Sequence, residues 1–231
     1  MWALLMNKKI FNFFRGIFGI FLFVAVQLVW QLIFLDILKS DKFLLANIVF
    51  LGGEVVSALI FGFMNRKKLK NDYQDFNLNF KKYLKIGLKA WFIGILVMAV
   101  SNAVISSILG KVAENENNLR GLLGNYPIYI IFSTIIFAPF IEELTFRGNF
   151  REAFCNNKLF ILVTSLLFAG IHVFNGITNP MELLYFIPYG SLAVAFGYTY
   201  VKTNNIYTTM VLHSLHNAIS IGSLVLLYLV G

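Results

Sequence analysis

Apolar runs about 20 residues long recur along this 231-residue chain, and they leave few folds open. The run Gly16–Phe34, for example, carries no charged residue. A backbone in hydrocarbon must satisfy its own N–H and C=O groups, so such runs become helices or closed barrels. Strand-like alternation is absent, which argues against a barrel. At 58% hydrophobic and 13% charged, the chain departs from a soluble domain, which would be about half apolar and a quarter charged. The expected fold is all-α: a polytopic transmembrane helical bundle of seven to eight spans, with residues 1–231 forming a single integral-membrane domain. Apolar segments place seven spans near 16–36, 43–63, 86–109, 127–154, 158–175, 183–201 and 206–230. Asn65–Lys85 reads as one long polar connection and Lys111–Asn125 as a shorter, mixed-charge loop. Lys8, Lys9 and Arg15 precede the first run in the order of a signal peptide. That run is long and lacks a small-residue cleavage site, so a retained first helix is expected.

The charge distribution orients this bundle. With the N-terminus in the cytoplasm, only Lys39, Lys42, Lys111 and Arg120 fall outside, and the other fifteen of the 19 Lys and Arg fall inside. The positive-inside rule therefore gives N-in and, with seven spans, C-out. The net charge of +8 is read as loop charge, so nucleic acid is not an expected partner and the lipid bilayer is. Cys155 is the only cysteine, which excludes an intrachain disulfide.

One stretch does not fit a purely structural span. Pro139-Phe140-Ile141-Glu142-Glu143-Leu144-Thr145-Phe146-Arg147-Gly148 sets two carboxylates and an arginine at the end of an apolar run. Charges inside a bilayer are costly and tend to mark a site. Glu143 and Arg147 are four apart, so on a helix they stack and neutralise each other. Glu142 points about 100° away and has no such local partner. Glu143 is therefore expected to be the structural carboxylate and Glu142 the working one.

The fourth and fifth spans read as a hairpin turning near Asn156-Asn157. Glu142 precedes that turn, and His172 follows it, by about 22 Å of helix each, which sets them at matching depth. Phe168, four residues before His172, is expected to pack on its ring. His213 and Asn217 share one face of the last span, with His216 beside them as a support for Asn217. Glu142, His172, His213 and Asn217 could thus form one polar pocket among three helices. Such a set suits general-base activation of water with donors aimed at an oxyanion. It also offers enough ligands for zinc, although His-Glu-x-x-His is absent. No serine occupies a Gly-x-Ser-x-Gly elbow. Glu54, after Gly52-Gly53, is a further intramembrane acid that could line the cavity or pair with Lys89 or Arg15; no catalytic role is expected for it.

Together, Glu142-Glu143-x-x-x-Arg147, Phe168-x-x-x-His172 and His213-x-x-x-Asn217 resemble the three signatures of the CAAX protease and bacteriocin-processing (CPBP, or Abi) family, which includes type II CAAX-processing endopeptidases. The resemblance covers about residues 125–220, the expected catalytic core, with all three motifs in order on separate spans. It implies an α-helical intramembrane endopeptidase in which Glu142 and His172 activate water, and His213 and Asn217 stabilise the oxyanion. Glu143, Arg147, Phe168 and His216 would be supporting residues. The enzyme could be of metallo or glutamic type. Zinc or another divalent metal, if used, would be held by Glu142, His172 and His213. The implied partner is a peptide or membrane-protein substrate, cut near the cytoplasmic side of the bilayer, and a prenylated one is less expected. The Lys-, Asn- and Ile-rich composition points to a bacterial cytoplasmic membrane as the location. Rival readings are a non-proteolytic bacteriocin-immunity or accessory protein using the same pocket, and a transporter moving protons or metal ions, which ranks last because the polar set occupies only the C-terminal half.

Overall fold

A computed structural model describes residues 2–39, 42–174 and 177–230. Among the described residues the chain is helical throughout, with no strand. Its long elements are α1 (Trp2–Ile33), α2 (Phe43–Met64), α3 (Arg66–Leu109) and α4 (Glu114–Asn125). Next comes α5, a composite that runs as Pro127–Phe132, Ser133–Phe137, Ala138–Glu143 and Leu144–Gly148; then α6 (Asn157–Val173), α7 (Phe186–Thr203) and α8 (Ile206–Val230). Among the described residues, five helices are long and apolar enough to cross a membrane: α1, α2, α3, α5 with its continuation to Ala153, and α8. The shorter α6 and α7 fall on the fifth and sixth expected spans, and α7 packs centrally against α3, α6 and α8. The last position of the expected fifth span, 175, lies outside the described residues, as do the end positions 1 and 231 of the expected single domain.

Two expected connections are helices instead. The segment 66–85 is the first half of α3, a single helix of 44 residues. Leu69, Tyr73, Phe76, Phe80 and Tyr83 recur there every three or four residues, an amphipathic stripe that mean hydropathy alone conceals. Phe76 is buried and stacks on Tyr207 of α8, with ring centroids 6.1 Å apart. The segment 114–125 forms α4, with Glu114 and Glu116 at its positive N-terminal end and a Glu116–Arg120 ion pair of 2.5 Å one turn on.

The end of the bundle that carries α3's first half fixes the start of α8. Asn204 takes a left-handed conformation (φ 49°) and ends α7. Asn205 then caps α8 by accepting from the backbone N–H groups of Tyr207 (3.1 Å) and Thr208 (3.3 Å). Its amide donates to the Asp72 carbonyl (2.7 Å) and the Asp75 carboxylate (2.9 Å). Above this turn, Phe61, Ile141, Leu144, Phe150, Phe160, Tyr200 and Ile206 pack into a core that is almost wholly inaccessible to solvent.

α3 and α7 approach closely at Gly94. A Cβ there would lie 2.9 Å from the Ala195 Cβ and 3.2 Å from the Ser191 carbonyl oxygen. Ser191 also donates its hydroxyl to the Gly94 carbonyl at 3.1 Å. Small residues allow such approach where lipid gives helices no hydrophobic reason to associate. Gly94→Val is expected to lower stability by about 1–3 kcal/mol, read as a depressed thermal midpoint in detergent. An unchanged midpoint would mean the two helices do not touch there.

Candidate active site

Two features of α5 shape the site. Its helix widens to π geometry at Ser133–Phe137 and again at Leu144–Gly148, bracketing Glu142 and Glu143. Such turns are rare and collect at functional sites. At the first, the Ala138 N–H bonds to the Ser133 carbonyl, so it skips Thr134. The next possible donor is Pro139, which has no N–H. The orphaned Thr134 carbonyl accepts instead from Asn217 Nδ2 at 2.8 Å. A proline in α5 thus creates the acceptor that holds the α8 amide.

The structure brings Glu142, His172 and His213 together from three helices. Glu142 Oε2 lies 3.8 Å from His172 Nε2 and 3.9 Å from His213 Nε2, and it has no hydrogen-bond partner among the described residues. His172 arrives as the α5–α6 hairpin predicts. Asn156 at the turn accepts from the backbone N–H groups of Lys158 (2.8 Å) and Leu159 (3.2 Å), starting α6. Phe168 contacts His172 with ring centroids 4.7 Å apart, and Tyr189 stacks on the imidazole at 5.2 Å and 11°. Phe196 stacks on His213 at 5.0 Å.

Glu143 faces the other way and is wholly buried with Arg147. Arg147 Nη1 donates to Glu143 Oε1 (3.2 Å), and Nη2 donates to the Ala193 carbonyl of α7 (2.9 Å). The guanidinium also lies 5.0 Å from the centroid of the Phe168 ring. The same Glu143 oxygen is 3.1 Å from His213 Nδ1. A carboxylate paired with arginine can only accept, so Nδ1 is the donor and Nε2 is the ring atom turned toward Glu142.

A cavity of about 550 Å³ opens from this cluster, lined in part by Ser133, Thr134, His216 and Asn217. His216 is buried, and its Nδ1 has no partner among the described residues. Glu54 pairs with neither Lys89 nor Arg15. It accepts from the Ser133 hydroxyl at 2.9 Å, and it is not among the cavity-lining residues. Ser133, Tyr189 and Phe196 escaped the sequence reading; the i, i+7 spacing of the two aromatic residues on α7 was the available signal. Among the described residues, no three His, Cys, Asp or Glu side chains converge as a set that could hold a metal ion.

Removing one member of the buried ion pair leaves an uncompensated charge. Arg147→Met is expected to cost about 3–5 kcal/mol, and Arg147→Met combined with Glu143→Gln less than the sum of these two single changes. Thermal denaturation of the four purified forms measures this; strict additivity would contradict the pairing.

Residues 124–219, which hold all four residues of the Glu142, His172, His213 and Asn217 set, match the family model described as type II CAAX prenyl endopeptidase Rce1-like. Curated relatives include three UPF0177 proteins of Lactococcus lactis. YvdC is 26% identical over 61% of this chain and 53% of its own length. YxdF is 29% identical over 52% of this chain and 62% of its own length. YaiH is 28% identical over 93% of this chain and 89% of its own length. The chain therefore spans little more than half of the first two. No solved structure gives a significant match. Over the matched segment, which contains all three motifs, the chain is similar to the type II CAAX prenyl endopeptidase family.

Proposed function

We propose that this protein is an intramembrane endopeptidase that hydrolyses a peptide bond of a membrane-associated peptide or protein with a water activated by Glu142 and His172. The observation that carries the reading is the buried, unpartnered Glu142 oxygen facing two imidazole nitrogens across 3.8 and 3.9 Å. Those separations are too long for direct hydrogen bonds and suit a small oxygen nucleophile held among the three groups. Glu142 accepts the proton of the attacking water, with His172 orienting it. As the tetrahedral oxyanion forms, Asn217 and His213 are its donors. Asn217 uses one Nδ2 hydrogen on Thr134 and keeps the second free. With Nδ1 committed to Glu143, His213 Nε2 donates only in the doubly protonated ring, so the proton relayed through Glu142 also arms the oxyanion site. Collapse of the intermediate returns the proton to the leaving amine.

Membrane peptidomics of cells expressing wild type or Glu142→Gln tests the reading. Peptide ends that appear only with the wild type are expected, with loss of at least about 100-fold in the variant. Identical peptidomes, with both forms giving the same cellular phenotype, would favour an immunity or accessory protein that binds a partner through this cavity.

A further inference from the structure

We infer that the site is entered from the end of the bundle poor in lysine and arginine, the non-cytoplasmic face, and that its substrate is a largely apolar peptide segment presented from that face. The inference rests on the peptidase reading for the word substrate, but its geometry stands separately. From Glu142 the cavity runs in one direction only. It follows α3 toward its C-terminal end, past Met98 to Asn102, and reaches Asn115, Glu116 and Arg120 of α4. On α8 it climbs away from His213 to Ser220 and Leu224. In the opposite direction, the fully buried Arg147–Glu143 pair closes the way. Below that pair, Leu144, Phe150, Phe160 and Tyr200 make a plug of at most 1% exposure.

These two ends differ sharply in charge. The open end carries Lys39, Lys42, Lys111 and Arg120; apart from the buried Arg147, all other Lys and Arg of the chain belong to the plugged side, including the basic first half of α3. An asymmetry of fourteen against four sets the plugged end in the cytoplasm. The cavity mouth then faces out, which departs from the cytoplasmic-side cleavage that the family resemblance suggested. A prenylated cysteine at a cytoplasmic C-terminus would have to cross the plug to reach Glu142.

The walls describe what enters. Ile95, Met98, Leu192 and Leu224 line the shaft, while the mouth is polar. There Arg120 and Glu116 pair with each other, and Asn115 donates to the Tyr189 hydroxyl at 3.4 Å. Tyr189 is the residue stacked on His172, so the mouth connects to the reacting groups through one side chain. An apolar stretch of an exported peptide, or the outer end of a transmembrane segment, fits such a shaft.

Cysteine accessibility in whole cells tests the orientation without reference to activity. Cys155 is exposed at the plugged end and serves as its own reporter. Asn118→Cys in a Cys155→Ser background reports the mouth end, with Asn117→Cys as a second position on α4 should the first fail to accumulate. A membrane-impermeant maleimide is expected to modify the α4 positions in intact cells and Cys155 only after permeabilisation. Labelling of Cys155 in intact cells, or protection of both α4 positions there, would overturn the inference. Mapping the cleaved bonds from the peptidomes supplies the second arm. Bonds on exported or outward-facing segments support the inference, and bonds confined to cytoplasmic segments overturn it. Absence of any cleavage would remove the peptidase reading while the labelling result still decides which way the cavity faces.

Discussion

Everything at the centre of this molecule is arranged around one wholly buried chain of charge, Arg147 to Glu143 to His213. An isolated charge in that position would be strongly destabilising, so each member must be paired and directed. Arg147 satisfies Glu143 within α5 and reaches across to the α7 backbone at Ala193. Glu143 in turn fixes the ring of His213 on α8. Phe168 of α6 lies under the guanidinium and beside both imidazoles. Four helices are therefore held to a single pair of side chains, and Glu142 takes its place by being the next residue along.

Helix irregularity supplies the remaining precision. A regular α-helix would have bonded the Thr134 carbonyl internally and left Asn217 without its acceptor. The π turn, together with the missing N–H of Pro139, exposes that carbonyl on the side facing α8. The second π turn follows Glu143 directly and includes Arg147. Backbone groups released in this way are tolerable inside a membrane because neighbouring helices re-satisfy them.

Much of the site could be read from spacing, because helical neighbours obey simple periodicity. The Glu143–Arg147 pair, the Phe168–His172 contact and the shared depth of Glu142 and His172 all follow from 3.6 residues per turn and a hairpin at Asn156. Contacts that join distant helices through a single polar atom could not be read this way. Glu54 finding Ser133, Asn217 finding the Thr134 backbone and Asn205 finding Asp72 depend on how the helices are set against one another, which no local pattern encodes. The helical first half of α3 is hard to read from sequence for a different reason. Its charges give a loop signal, while the stripe from Leu69 to Tyr83 carries the helical period.

The two adjacent carboxylates play opposite energetic parts. Glu143 is satisfied by a cation and an imidazole, so it contributes to the fold. Glu142 is buried with an unpartnered oxygen, an arrangement that costs stability and is retained where chemistry requires it. The most direct measurement compares Glu142→Gln with Glu143→Gln in purified, lipid-reconstituted protein, reading thermal midpoint and hydrolysis of a quenched peptide library from the same preparations. The account predicts that Glu142→Gln keeps or raises the midpoint while abolishing hydrolysis, and that Glu143→Gln lowers the midpoint. A Glu142→Gln protein that still cleaves, or one that unfolds as readily as Glu143→Gln, would contradict it.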